Sequence, residues 1–337
     1  MKPYQIFIII ILLICPNILY AQDIHFSNYY MSPLSLNPAN TGNYSGNWRL
    51  MNNYRQQGDN LTNSYTTSSL AFDHPVYFRN EKASLGLIYI YDNSANNTLL
   101  ANKIYLSAGY FLKITSQSYL HIGFQGGFVH KRYSLSGLTL PDQFDMSQGV
   151  FNPQISTQES FENQSLYYLD FNWGLIWSRK AAALNTELGI AMFHFNQPEE
   201  VFFEGKNRLE PRYQIHALAK KKISGHLYLR PKALFAIDNH TNELLVGADI
   251  GLSLKENEAF KDVYFGIHYR GGYNRISDAL IFKTGFNYLD FDIAFAYDLE
   301  ISGQKISNFT SNAFEVTIIF TRPETSLKER TIPCDIF

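Results

Sequence analysis

From about residue 46 to residue 322 large apolar residues recur at every second position. In 291–299, Phe291, Ile293, Phe295, Tyr297 and Leu299 alternate with Asp292, Ala294, Ala296 and Asp298. In 263–270, Val263, Phe265, Ile267 and Tyr269 oppose Tyr264, Gly266, His268 and Arg270; in 280–288, Leu280, Phe282, Phe286 and Tyr288 oppose Lys283, Gly285 and Asn287. A two-residue period places the two sets on opposite faces of a β-strand. One face carries bulky hydrocarbon, while the other carries charge, amide and glycine. That is the pattern of a strand with lipid on one side and a polar lumen on the other.

Fourteen such strands are expected, at roughly 46–56, 63–73, 83–91, 102–114, 118–133, 166–179, 183–194, 212–222, 226–237, 243–255, 261–272, 278–288, 291–300 and 312–322. An even count suits a single-chain antiparallel transmembrane β-barrel of the bacterial outer membrane. The links after even-numbered strands are short, as at 115–117, 180–182, 223–225 and 289–290, with 256–260 and 74–82 somewhat longer. The longest, 134–165, 195–211 and 301–311, follow odd-numbered ones. Short periplasmic turns and long outer loops are the normal construction, with both termini periplasmic. The last strand ends in an aromatic, Phe320, and resembles the signal read by barrel-assembly machinery.

Composition narrows the alternatives. Charged residues make up 17% of the chain and Phe, Trp and Tyr 15%, where a soluble domain is about a quarter charged. A soluble sandwich or propeller would carry more charge outside, and no blade repeat is evident. After residue 21 no apolar run approaches the about 17 residues a spanning helix needs. With 28 basic and 30 acidic residues, nothing favours nucleic acid as a partner; outer-membrane lipid is the expected surround.

Residues 1–21 read as a signal peptide, with Lys2, an apolar run from Ile6 to Cys15, and Tyr20-Ala21 before Gln22. Bulky Ile14 before Cys15 and Pro16 after it argue against lipidation. Cleavage leaves Cys334 as the single cysteine, so no intramolecular disulfide is expected. The chain then divides into an aromatic, proline-broken segment at 22–45, periplasmic or docked in the lumen, the barrel at 46–322, and a periplasmic tail at 323–337.

No motif carries chemistry. Zinc-protease, nucleophile-elbow and phosphate-loop patterns are missing, and His121, His130, His194, His216 and His268 fall at no ligand spacing, so neither catalysis, a metal nor a cofactor is expected. Gly123, Gly126, Gly127, Gly271 and Gly272 admit two readings: crowding and curvature of the wall, or a seat for an inserted segment. Wall crowding is the expectation taken. Loop 134–165 carries Leu138, Leu140, Phe144, Met146, Val150, Phe151 and Phe161, which suits insertion into the lumen, contact with a surface partner, or packing on its own rim.

The segment Gln22-Asp23-Ile24-His25-Phe26-Ser27-Asn28-Tyr29-Tyr30, then Pro33-Leu34-Ser35-Leu36-Asn37-Pro38-Ala39 and Gly42, resembles the opening of the PorP/SprF family of the type IX secretion system. Arg49, Asn53, Tyr54, Arg55 and Gln56 continue the likeness, with Gln57-Gly58 where the family usually places Trp. The end Pro333-Cys334-Asp335-Ile336-Phe337 is similar to the family's Cys-Pro-x-Phe terminus without its second proline. The resemblance implies a non-enzymatic Bacteroidetes outer-membrane barrel that supports secretion or surface attachment of proteins with C-terminal targeting domains, gliding adhesins among them. Its implied partners are the translocon barrel, periplasmic ring proteins and an exported surface protein.

Partner-binding residues expected on this basis are Phe26, Tyr29, Tyr30, Met31, Asn37, Pro38, Cys334 and Phe337. Two other readings compete: a diffusion porin or hydrophobic-substrate transporter, and an outer-membrane hydrolase.

Overall fold

Among the described residues each long strand from residue 48 onward pairs with the next long strand in sequence, and the last pairs with the first. A computed structural model of the chain describes residues 25–58, 64–79, 81–94, 98–134, 141–152, 154–156, 164–201, 207–239, 241–254, 259–272, 278–301 and 312–324. The strands are β1 (Trp48–Gln57), β2 (Tyr65–Phe78), β3 (Glu81–Ser94), β4 (Leu99–Lys113) and β5 (Ser118–Tyr133). A small hairpin follows, β6 (Phe144–Asp145) with β7 (Val150–Phe151). The chain continues through β8 (Gln164–Lys180), β9 (Leu184–Phe193), β10 (Arg212–Lys222), β11 (Leu227–Ile237) and β12 (Asn242–Ser253). It ends with β13 (Phe260–Gly271), β14 (Ala279–Tyr288), β15 (Phe291–Glu300) and β16 (Ala313–Arg322).

All strands but β6 and β7 form one closed antiparallel barrel of fourteen strands, the fourteen expected. Closure runs from Trp48 opposite Arg322 to Gln57 opposite Ala313, so no strand edge is left for lipid to meet unpaired. The chief boundary difference is β2, which runs to Phe78 rather than stopping before Pro75. Beyond Asp73 its β1 partner has ended and β2 pairs with β3 alone. A proline is tolerated where a strand has one neighbour.

The alternation resolves into two surfaces. Leu85, Leu106, Leu169, Ile215, Phe265 and Phe295 stand exposed on the outer wall, Leu106 at 70%. Their strand neighbours Ser84, Tyr105, Ser107, Gln214, Tyr264 and Ala294 are buried inside. With a polar interior and an apolar exterior, the outer surface is stable only in lipid. The long-loop end carries the described hairpin, where the Phe144 and Phe151 rings meet edge-on at 5.1 Å while Met146 stays 92% exposed.

Candidate functional site

The lumen is occupied by the chain's own residues 25–45. Two prolines set their path. Pro33 opens a four-residue helix, Pro33–Leu36, and Pro38 a single tight turn, Pro38–Asn40; the fixed φ of proline suits the first position of a helix. Between them Asn37 is extended and caps the turn, its Oδ1 accepting from Ala39 N at 2.9 Å. Its turns satisfy part of its own backbone, from Met31 N on the Asn28 carbonyl at 2.7 Å to Asn43 N on the Asn40 carbonyl at 3.0 Å, and the wall supplies partners for the rest.

Those bonds define a threaded direction. Ser27 and Asn28 donate from backbone N–H to Glu315, at 2.7 and 3.0 Å. The Ser27 hydroxyl donates to Asp298 Oδ2 at 2.7 Å and accepts from Arg55 Nη1 at 2.7 Å and Arg270 Nη1 at 3.1 Å. One donor and two acceptors exhaust a hydroxyl. Lys283 Nζ donates to the Ser27 carbonyl. Arg55 and Arg270 each reach Asp298 at 2.8 Å, and all five charged side chains are buried. Because Arg55 and Asp298 lie late in outward-running strands and Glu315 early in an inward-running one, this cluster sits in the long-loop half.

Further along, Gln125 Nε2 donates to the Leu34 carbonyl at 2.8 Å and Gln214 Nε2 to that of Leu36 at 2.7 Å. Near the short-turn end, Gly42 N donates to Asp73 Oδ2 at 2.8 Å, Ser84 Oγ to the Thr41 carbonyl at 2.6 Å, and Arg49 pairs with Asp73 at 2.7 Å. The segment thus descends the lumen from the long-loop half and leaves at the short-turn end to begin β1.

Where it presses closest, the wall has no side chain. A Cβ on Gly123 would overlap the Pro38–Ala39 backbone, and one on Gly174 the Asn37 amide. Gly123 is therefore a seat for an inserted segment, which corrects the crowding expectation for that residue. Gly126, Gly127 and Gly271 face Phe171, Tyr105 and Tyr269 of the wall itself and keep that reading.

The expected partner-binding residues separate. Phe26, Tyr29, Asn37 and Pro38 are buried in the lumen, with Asn37 donating to the Ile190 carbonyl of β9 at 3.0 Å. Tyr30 and Met31 are partly exposed and line a cavity beneath the segment. The Tyr30 hydroxyl lies 3.3 Å from His216 Nδ1 of β10. Cys334 and Phe337 lie outside the described residues, as does the signal peptide.

Of the residues that hold the segment, Arg270, Lys283 and Asp298 stood out in the sequence only as polar-face positions, Arg55 only as part of the family likeness, and Glu315 not at all. Their signal is charge on lumen-facing positions of strands that close next to one another. The histidines also acquire partners: His268 bonds Asp249 at 2.7 Å, His194 bonds Asp170 at 2.9 Å, and His216 Nε2 lies 3.2 Å from Asn37 Nδ2. Among the described residues no three His, Cys, Asp or Glu side chains are placed to hold a metal.

Solved structures similar to this one are outer-membrane barrels. A monoaromatic hydrocarbon channel, a TodX deltaS2S3 mutant, matches with a TM-score of 0.54 at 10% identity over 86% of this chain and 94% of its own. The TodX deltaS2 mutant gives 0.55 at 9% identity over 87% and 94%. The CymD monoaromatic hydrocarbon channel gives 0.52 at 12% identity over 87% and 93%. At such identities the likeness is one of fold. No individual curated protein matches the sequence. The family model described as type IX secretion system membrane protein PorP/SprF matches residues 18–320, spanning both the lumen segment and the barrel. The chain belongs to the PorP/SprF family of type IX secretion system membrane proteins, and its barrel places it in the outer membrane.

Proposed function

We propose that this protein is a non-enzymatic outer-membrane adaptor of type IX secretion that supports the export or surface attachment of proteins with C-terminal targeting domains. The observation that carries this reading is the lumen segment. A barrel whose interior is occupied by its own residues 25–45, tied at Ser27 to Arg55, Arg270, Asp298 and Glu315, suits a scaffold that binds partners at its two mouths. In this reading residues 1–21 direct export and are removed, the tail 323–337 remains periplasmic, and Cys334 and Phe337 contribute to contacts there with the periplasmic ring. Tyr30 and Met31 face the same compartment. The long-loop mouth meets the exported protein, with gliding adhesins in Bacteroidetes as one class of client.

Chromosomal deletion of the gene, followed by surface proteomics of the native cells, tests it. Loss of a set of proteins with C-terminal targeting domains from the cell surface is the expected result, and an unchanged surface proteome would sink the reading.

The competing reading, a porin or hydrophobic-substrate transporter, draws on the barrel's size. Against it stands the lining: Arg55, Asp73, Lys103, Asp170, Arg270 and Glu315 are buried inside, and an apolar solute gains nothing by leaving lipid for such a surface. Planar-bilayer conductance separates the two. A scaffold shows low conductance that rises when residues 26–42 are removed, whereas a porin conducts with the segment in place.

A further inference from the structure

The seam between β8 and β9 is incomplete at the long-loop end. β5 accompanies β8 along its length, from Ser118 opposite Arg179 to Tyr133 opposite Gln164. β9 leaves it early: their ladder runs from Lys180 opposite Asn185 only as far as Trp173 opposite Met192. Just beyond, the chain turns away at His194, whose φ of 57° is left-handed. Residues 164–172 of β8 therefore have no strand on that side.

Closure seals the middle of the wall, and this edge stands above it. Leu106, midway along β4, shares a row with Gly126 and Phe171. Tyr167 lies further toward the long loops by about 13 Å of strand, which brings it to the surface-side border of a hydrocarbon core about 30 Å thick. Lys180 N donates to the Gln117 carbonyl, so the even-numbered residues of β8 bond to β5 and the odd-numbered ones turn their N–H and C=O groups to the open side. Asn196 serves the first of these: its Oδ1 accepts from Phe171 N at 3.1 Å and its Nδ2 donates to the Leu169 carbonyl at 2.7 Å. Beyond it, among the described residues, nothing pairs with the edge groups of Tyr167 and Ser165.

A side-chain amide standing in for a peptide group shows what this edge takes, and an open edge of this kind is completed by an added strand. We infer that the upper edge of β8 is a docking site for an extended segment of the exported protein, added antiparallel to β8 in line with β9 beyond Asn196. The secretion reading supplies only the source of that strand. Its two faces are specified as well. Toward the lumen Glu200 fills the space, accepting from Lys131 Nζ at 2.6 Å and from the Tyr168 hydroxyl at 3.2 Å, so inward side chains are small. Outward ones stand beside Tyr167 and Leu169, each 59% exposed, and are large and apolar.

Full-length protein in detergent is titrated with a capped, fluorescein-labelled Val-Ser-Val-Ser-Val pentapeptide, and with the same peptide N-methylated at its central residue to remove one donor. Fluorescence anisotropy reads binding, and hydrogen exchange reads residues 164–171 with and without peptide. Tyr167→Pro removes an N–H that the wall does not use, which an edge tolerates, while Tyr167→Val keeps it. The expected result is binding to the unaltered protein and to Tyr167→Val, slowed exchange over residues 164–171 when peptide is present, and affinity reduced about tenfold by Tyr167→Pro and by N-methylation, as for loss of one hydrogen bond. Each variant is first checked for heat-modifiable gel migration; if Tyr167→Pro does not fold, the N-methylated peptide on the unaltered protein carries the test. Absent binding, binding indifferent to N-methylation and to the folded variant, or a stretch already fully protected without peptide overturns the proposal. Surface display in cells is read separately, so such a failure leaves the adaptor reading intact.

Discussion

The Ser27 hydroxyl donates to Asp298 Oδ2 at 2.7 Å across 271 residues of sequence. This one contact joins the start of the lumen segment to a strand near the end of the chain. It also completes a buried cluster in which two arginines and one serine share a carboxylate. Removing the carboxylate takes the shared ion pair from both arginines, whereas removing the hydroxyl costs only its own hydrogen bonds.

Asp298→Ala is therefore expected to be the more damaging change. Breaking one side of a buried ion pair costs about 3–5 kcal/mol, and here Arg55 and Arg270 both lose the carboxylate they share, Arg55 keeping only the longer contact to Glu315 at 3.7 Å. Ser27→Ala should cost about 1–3 kcal/mol. Urea unfolding of the refolded barrel in lipid vesicles, followed by tryptophan fluorescence, measures both, and a Ser27→Ala loss equal to that of Asp298→Ala would contradict the ordering.

Gly123 marks where the lumen segment rests on the wall. Gly123→Val places methyl groups where the Pro38–Ala39 backbone now lies, so the segment must leave while the wall persists. In an Ala39→Cys background the thiol starts fully buried and resists maleimide. The added Gly123→Val should make it reactive with heat-modifiable migration retained. Continued protection would show that the contact is softer than the backbone geometry implies.

Leu106 stands on the lipid face midway along β4, 70% exposed. Leu106→Arg should destabilise the barrel by about 2–4 kcal/mol, the cost of arginine near the bilayer midplane. Arginine in place of Leu289, in the turn between β14 and β15, should cost about 0–1 kcal/mol, since that position reaches the interface. Folding titrations in vesicles compare them, and equal costs would place the membrane band elsewhere on the wall.

Asn37 holds the segment to β8 and β9 through its amide, donating to the Leu175 carbonyl at 3.3 Å and the Ile190 carbonyl at 3.0 Å. Asn37→Ala removes both bonds and the cap on Ala39 N, and Asn37→Asp replaces an NH₂ donor by a charge facing two carbonyls. Hydrogen exchange over residues 33–42 should rise in both and more in Asn37→Asp. Unchanged exchange would mean that Gln125 and Gln214 suffice to hold the segment.

The wall was legible in the sequence because its physics is local and periodic. Every strand must put hydrocarbon outward, so Phe291, Ile293 and Phe295 announce a face regardless of what they pair with, and fourteen such runs imply closure in lipid. The same reading placed Asp298, Lys283 and Arg270 on the polar side without saying what they meet there. Residues 22–42 were conspicuous for their aromatics and prolines, yet no period describes them. From residue 25 on, the path is set by partners as remote as Glu315, which accepts from Ser27 N.

Sequence alone thus determined the barrel, its strand count and the family likeness, because alternation and a local motif need no knowledge of distant residues. Only the tertiary structure decided that Gly123 is a seat rather than a kink and that five scattered charges converge on Ser27. Those facts depend on barrel closure, which sets β1 against β16 and brings side chains hundreds of residues apart within hydrogen-bonding distance.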